Sequence, residues 1–215
     1  MDRRRAGVDG SSRAAVTRTA NRGPWVVLRR GGIWMQIATR IRHDKLTGHK
    51  AFLASLVGAA ATAVCAQISF HLPDNPVPIT MQTFAVLSCG LLLGSRYGAL
   101  SQLEYLAAGF FGAPVFADFK PASVAFAGPT AGYLVGFVAA AYVVGLFMEM
   151  VSQRTFSTAC AAGLLGVAVT YIFGAGWLAV QAGWGSWVMG IAPFVGVDLV
   201  KAVFAATLWT PRRFE

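Results

Sequence analysis

Read as a string of apolar and polar positions, the chain has a polar, Arg-rich leader followed by six apolar runs, separated by short segments that carry Pro, Gly or charge. The runs fall at 51–72, 79–93, 97–116, 124–151, 157–180 and 193–209. Apolar stretches of about 20 residues match the hydrocarbon thickness of a bilayer. The pattern therefore predicts an all-α membrane protein, a bundle of six transmembrane helices. The second run is short for a span and is expected to tilt or to begin within the loop before it. That loop, residues 71–84 (HLPDNPVPITMQTF), holds Pro73, Pro76 and Pro78, which forbid a regular helix, so a structured Pro-rich loop is predicted after helix 1. Residues 94–98, GSRYG, predict a tight turn between the second and third spans.

Composition sharpens this picture. The 215 residues are 56% hydrophobic and only 13% charged, against about 25% charged in an ordinary soluble domain. The formal charge of +9 suggests nucleic acid until it is located: residues 1–50 hold 12 Lys and Arg against 3 Asp, and the remaining residues hold 6 of each sign. A basic leader fits a cytoplasmic tail better than a groove for nucleic acid, so no nucleic-acid partner is expected. Residues 1–34 lack any sustained apolar period and read as mostly disordered. Met35 opens a short lead-in of its own and is a candidate true start. The expected organisation is a leader over 1–50, a transmembrane domain over 51–210 and a short tail over 211–215. Six spans place both ends on one side. That side receives Arg96, Arg154, Arg212 and Arg213, which predicts cytoplasmic termini in the cell's inner membrane and sets the Pro-rich loop outside.

The first span carries small residues at every fourth position in two registers, Ala51, Ser55, Ala59, Ala63 and Ala54, Gly58, Thr62, Ala66. Such ladders let a second helix approach closely, whether from this chain or from a separate subunit, and Ala59 and Ala63 are the candidate docking positions. Ala63-Val64-Cys65 also admits a cleaved signal or a lipoprotein site, against which stand the long leader and the later spans. Cys65, Cys89 and Cys160 form no CxxC pair and read as small packing residues, with no metal site or cofactor implied. Trp184 and Trp187 after the fifth span suit a membrane interface.

Three charges lie well inside apolar runs, away from the turns between them. Glu104, near the middle of the third span, requires a partner or a neutral form, and is either a packing acid or a ligand group. Asp198 and Lys201 sit in the last span, where each costs about 2.5–3.5 kcal/mol to insert. Three residues apart, they share one helix face and can pair. They either glue helices together or form a recognition site for a small molecule with an acid at one end and hydrogen-bond donors elsewhere. Lys201 then stands opposite the ligand's carboxylate, while Asp198 contacts the ligand or positions Lys201. Phe84, Phe116 and Tyr133 are candidate walls for a compact ring system.

The chain contains no GxxxxGK[ST], no HExxH and no GxSxG, so it is not itself a P-loop ATPase and catalysis has little support. The remaining enzyme reading would use Glu104 as acid or base. His71 stands alone at a span end and reads as interfacial.

Residues 75–87 (NPVPITMQTFAVL), 112–117 (GAPVFA), 128–137 (GPTAGYLVGF), and Pro193-Phe194 with 198–201 (DLVK), in that order, resemble the BioY family, the biotin-specific S components of energy-coupling factor (ECF) transporters. The resemblance covers about 51–209. It implies a six-helix protein that captures biotin from outside and joins a transmembrane coupling protein and two ATP-hydrolysing subunits, although some members work without them. It carries the family's ligand-contacting acid and lysine onto Asp198 and Lys201, and brings in Gln82 and Tyr133 as members of motifs near the pocket. An S component for another vitamin is the nearer alternative. Two departures stand out: Val197 precedes the acid where the family tends to have Gly, and Ala131-Gly132 replaces Gly-Gly before Tyr133. Glu104 is not a family feature.

Overall fold

The computed structural model describes residues 48–73 and 75–209. The basic leader with Met35, Asp74, and the tail with Arg212 and Arg213 lie outside the described residues.

Helix α1, Gly48–Ala66, buries its small residues and turns Phe52, Leu53, Leu56, Val57 and Val64 outward. An apolar rim of this kind is what a lipid-facing helix requires, and the stripe of small side chains brings it close to its neighbour. The chain then enters a two-stranded antiparallel hairpin, β1 (Ser69–Phe70) and β2 (Ile79–Thr80), with Ser69 opposite Thr80 and Phe70 opposite Ile79. The predicted first run extends to 72, but the helix stops at Ala66 because Ser69 and Phe70 pair with β2 instead. The three prolines fall between the strands or beside them, outside any helix.

Helix α2, Gln82–Phe110, is broken at Gly94, whose φ of 81° and ψ of −176° no helix contains. In a straight helix residues 82 and 105 would stand about 35 Å apart. Here Gln82 Nε2 donates to the Tyr105 hydroxyl at 2.7 Å, so the chain reverses at Gly94 and its two halves lie side by side. The new start at Ser95 is capped from a distance. Ser95 N–H and Oγ donate to the two carboxylate oxygens of Glu149 at 2.7 and 2.9 Å, placing a negative charge at a helix N-terminus. α1 packs on the second half, with Ser55 Oγ donating to Glu104 Oε1 at 2.8 Å and Gln102 Nε2 to Thr62 Oγ1 at 3.3 Å.

The predicted third run reaches 116, yet α2 ends at Phe110, beyond which Gly112 takes φ 94° and Pro114 follows. A 3-10 turn, Ala117–Phe119, and a short helix α3, Ala122–Ala127, come next. Gly128-Pro129-Thr130 separates α3 from α4, Ala131–Met150, so the run predicted as one span over 124–151 is split where proline interrupts it. α5, Phe156–Ala182, opens with a capping box between Thr155 and Thr158. α4 and α5 pack closely: a Cβ added at Gly174 would run into the Tyr133 ring, so the ring fits only over a glycine. After a turn at Trp184–Ser186, α6 (Trp187–Ile191) and α7 (Val195–Leu208) complete the described fold. Trp184 and Trp187 are exposed.

Among the described residues, α1, α2, α4 and α5 are long and apolar enough to cross a membrane. The 184–191 segment and α7, bent by 46° at their break, pass the same test together. The buried residues form two clusters, one around Tyr105, Phe116, Tyr133, Phe137 and Phe194, the other around Leu87, Leu91, Val144, Met148 and Trp209.

Candidate functional site

The site lies in the first of these clusters. α7 buries Asp198, Lys201, Ala202, Ala205 and Ala206, a stripe with the three- and four-residue spacing of a helix face. Asp198 and Lys201 are 3% and 4% exposed, and Lys201 Nζ donates to Asp198 Oδ1 at 2.7 Å. The ammonium also donates to the Thr80 carbonyl at 2.7 Å, tying α7 to the end of β2. The other carboxylate oxygen, Asp198 Oδ2, accepts from the Tyr171 hydroxyl of α5 at 2.8 Å. Buried charges of this kind persist only when both are paired and hydrogen-bonded, and each is. Two of the three ammonium hydrogens are used, which leaves one.

A cavity of about 680 Å³, measured out to its open mouth, meets this pair. The hairpin and the start of α2 contribute Val77, Pro78, Thr80 and Gln82 to its wall. Phe116, Ala117 and Lys120 line it from the 112–121 segment, while α4 and α5 add Tyr133, Phe137, Thr170 and Tyr171. Gln82 is fixed on both sides, donating to Tyr105 and accepting from Thr80 Oγ1 at 3.0 Å. Tyr133 donates to the Gly190 carbonyl at 2.6 Å, so it offers the cavity its ring and not its hydroxyl. Phe116 stands edge-on to Tyr105, ring centroids 5.4 Å apart. The result is an aromatic slot with a neutral, donor-and-acceptor polar patch.

Beside Lys120, Asp118 gathers three partners. Lys120 Nζ lies 3.0 Å and His71 Nε2 3.1 Å from Oδ2, and Ser69 Oγ donates to Oδ1 at 2.9 Å. Burial pushes the Asp118 carboxyl up, but the hydrogen bonds from Lys120 and Ser69 and the charges of Lys120 and His71 outweigh it and hold the group below the ordinary carboxylate range. His71, which stands by itself at a span end in the sequence, thus has an acid partner in the fold.

The structure brings Asp198, Lys201, Tyr133, Gln82 and Phe116 together around one cavity. Phe84 is not among the lining residues: its ring packs on Phe204 at 5.4 Å, against the second cluster, because its helix turns it away. Ala59 is buried and Ala63 partly buried against the same core, and α2 of this chain packs on the α1 face that carries Ser55 and Thr62. Glu104 Oε1 accepts from Ser55 at the α1–α2 contact, and Glu104 does not line this cavity. Val197 points outward and Gly196 has open space around it, so the branched residue there does not crowd the pair. Gly132, the retained glycine of the second departure, is the one pressed against Phe173 and Trp177. Among the described residues no group of three or more His, Cys, Asp or Glu could hold a metal ion.

Tyr171 and Lys120 were missed as site residues. A hydroxyl inside an apolar run marks Tyr171 in the sequence, but it reads there like any packing aromatic. Lys120 reads as a loop charge until the loop folds back.

The model of the BioY family matches residues 35–213. The chain is 39% identical over 162 residues to the "Probable biotin transporter BioY" of Pyrococcus horikoshii, covering 74% of this chain and 94% of that protein. It is 38% identical over 146 residues to the "Biotin transporter BioY" of Thermotoga maritima, covering 64% and 81%. The Rhizobium etli protein of the same name is 38% identical over 165 residues, covering 73% and 88%. The fold matches the crystal structure of the S-component for biotin from an ECF-type ABC transporter with a TM-score of 0.68 at 23% identity, over 76% of this chain and 92% of that one.

Proposed function

Because this chain belongs to the BioY family, we propose that it is a biotin uptake protein, the biotin-binding S component of an ECF-type transporter, and that the cavity against Asp198 and Lys201 is its capture site. The observation that carries the reading is the buried, fully paired acid and amine forming one wall of an aromatic cavity. Biotin has a compact polar ring, a thioether and an acid on an aliphatic chain. Phe116 and Tyr133 suit the ring faces, and Gln82, Asp198 and Lys201 suit the polar groups.

Six membrane passages follow if the two halves of α2 count separately and the bent 184–208 segment counts once. An even number returns both termini to one face. The basic leader supports a cytoplasmic assignment for that face, which puts the protein in the inner membrane with the cavity mouth outside. No phosphate-binding loop is present to energise release, so a transmembrane coupling protein and two ATP-hydrolysing subunits complete the machine.

The test is equilibrium binding of labelled biotin to the purified chain in detergent, with thiamine and riboflavin as competitors. Biotin is expected to bind and the other two to compete poorly; displacement by thiamine or riboflavin at comparable concentration would transfer the protein to another vitamin. Lys201→Met removes one partner of a buried charge pair and is expected to cost about 2–5 kcal/mol of biotin affinity. Unchanged binding by that variant would clear Lys201 of any role in capture.

A further inference from the structure

Among the described residues two cations line the cavity, and they differ in how far their charge is already matched. Lys201 is buried with Asp198 Oδ1 and the Thr80 carbonyl both at 2.7 Å. A carboxylate brought to it would face the Asp198 carboxylate at close range and lose its own hydration with little in return. A neutral urea meets the same pair without that conflict, since the acid accepts N–H and the remaining ammonium hydrogen reaches a carbonyl oxygen.

Lys120 is placed differently. Its side chain is 42% exposed, it lines the same cavity, and its acid partner is Asp118 at 3.0 Å. The turn that delivers it runs through two consecutive left-handed residues, Asp118 at φ 59° and Phe119 at φ 55°. That conformation is unusual for non-glycine residues and persists where surrounding contacts hold it. Asp118 does not depend on Lys120 alone, because Ser69 and His71 also hold its carboxylate. Lys120 can leave without stranding a charge.

We propose that Lys120 recognises the ligand's carboxylate and that Asp118 occupies its place in the empty protein: on binding, the ammonium exchanges Asp118 for the ligand's acid while Ser69 and His71 retain Asp118. This rests on the biotin reading, and it replaces the expectation that Lys201 stands opposite the carboxylate. The buried pair is left to the neutral ureido ring.

The experiment compares biotin with biotin amide, the same ring and chain without the charge, by equilibrium binding to the full chain in detergent. The wild type is expected to prefer the acid by about fivefold, the scale of one partly exposed ion pair at its upper end, and to lose most of that preference in high salt. Lys120→Met should bring the ratio to within about twofold while amide affinity holds, and Lys120→Arg should retain it. Asp118→Asn, which removes the competitor, should raise the ratio. Lys201→Met should weaken acid and amide by the same factor. An acid-to-amide ratio near one in the wild type, a ratio unmoved in Lys120→Met, or a ratio that collapses in Lys201→Met overturns the proposal. Lys120→Gln serves if the Met variant fails to fold, and the salt series needs no variant. Failure of the wild type to bind either compound would instead overturn the biotin reading.

Discussion

Tyr171 holds Asp198 oriented beside Lys201, since it occupies the oxygen that the lysine does not. Its hydroxyl serves a charged acceptor, an interaction worth about 1.5–3 kcal/mol. Tyr171→Phe is therefore expected to weaken biotin binding by up to that amount in calorimetric titration; unaltered affinity would leave Tyr171 a packing residue. The acid and the lysine were legible in the sequence because a charge in an apolar run demands a partner, and a spacing of three supplies one. Tyr171 was not, because its partner lies 27 residues away. Phe84 and Phe116 looked equivalent as aromatics near motifs, and only the direction each helix and loop gives them separates the wall from the far side. Asp118 makes a prediction in pH. Its folded carboxyl is held below the ordinary value of 3.8, so its contribution is full above the unfolded value, about 3.9, and disappears as pH falls through the lower folded one. The stability difference between the wild type and Asp118→Asn, read by thermal melting in detergent, should be present at about pH 5 and vanish in stronger acid. A difference that persists undiminished well below the ordinary carboxylate range would contradict the ion pairing.

At the scale of elements, the break at Gly94 decides the architecture. Gly94→Ala would force a side chain into a left-handed residue and within 2.7 Å of Glu149 Oε1, at a cost of about 1–3 kcal/mol. Glu149→Ala strips the cap from Ser95 and should cost about 0.5–2 kcal/mol. Both are expected to lower the melting temperature while the folded fraction still binds biotin. A melting temperature unchanged in both would mean that the reversal does not rest on this contact. The turn itself was legible, since two glycines four residues apart punctuate the apolar pattern. Its distant cap was not, because nothing local links Glu149 to Ser95. Likewise Pro129 marks the split between α3 and α4, yet apolar residues on both sides conceal it within a single run.

For the whole molecule, the membrane class and the order of the spans followed from hydropathy and charge, because a bilayer demands length and apolarity of each crossing helix. Which faces meet could not be read from the same information. The ladder on α1 showed that some helix approaches closely, and the fold shows that the helix is α2 of this chain. Ala59→Leu with Ala63→Leu would overpack that contact, at about 1–3 kcal/mol or more. The double variant is expected to lose stability and biotin binding together. Loss of partner co-purification with stability and binding intact would instead assign the stripe a docking role.

The bond from Lys201 to the Thr80 carbonyl joins positions 121 residues apart. During synthesis the earlier walls can be threaded into the bilayer well before α7 emerges from the ribosome, yet none of them holds the amine that finishes the chamber. Nascent chains halted ahead of that helix would be inserted but inert, one wall short of a pocket that can hold a ligand.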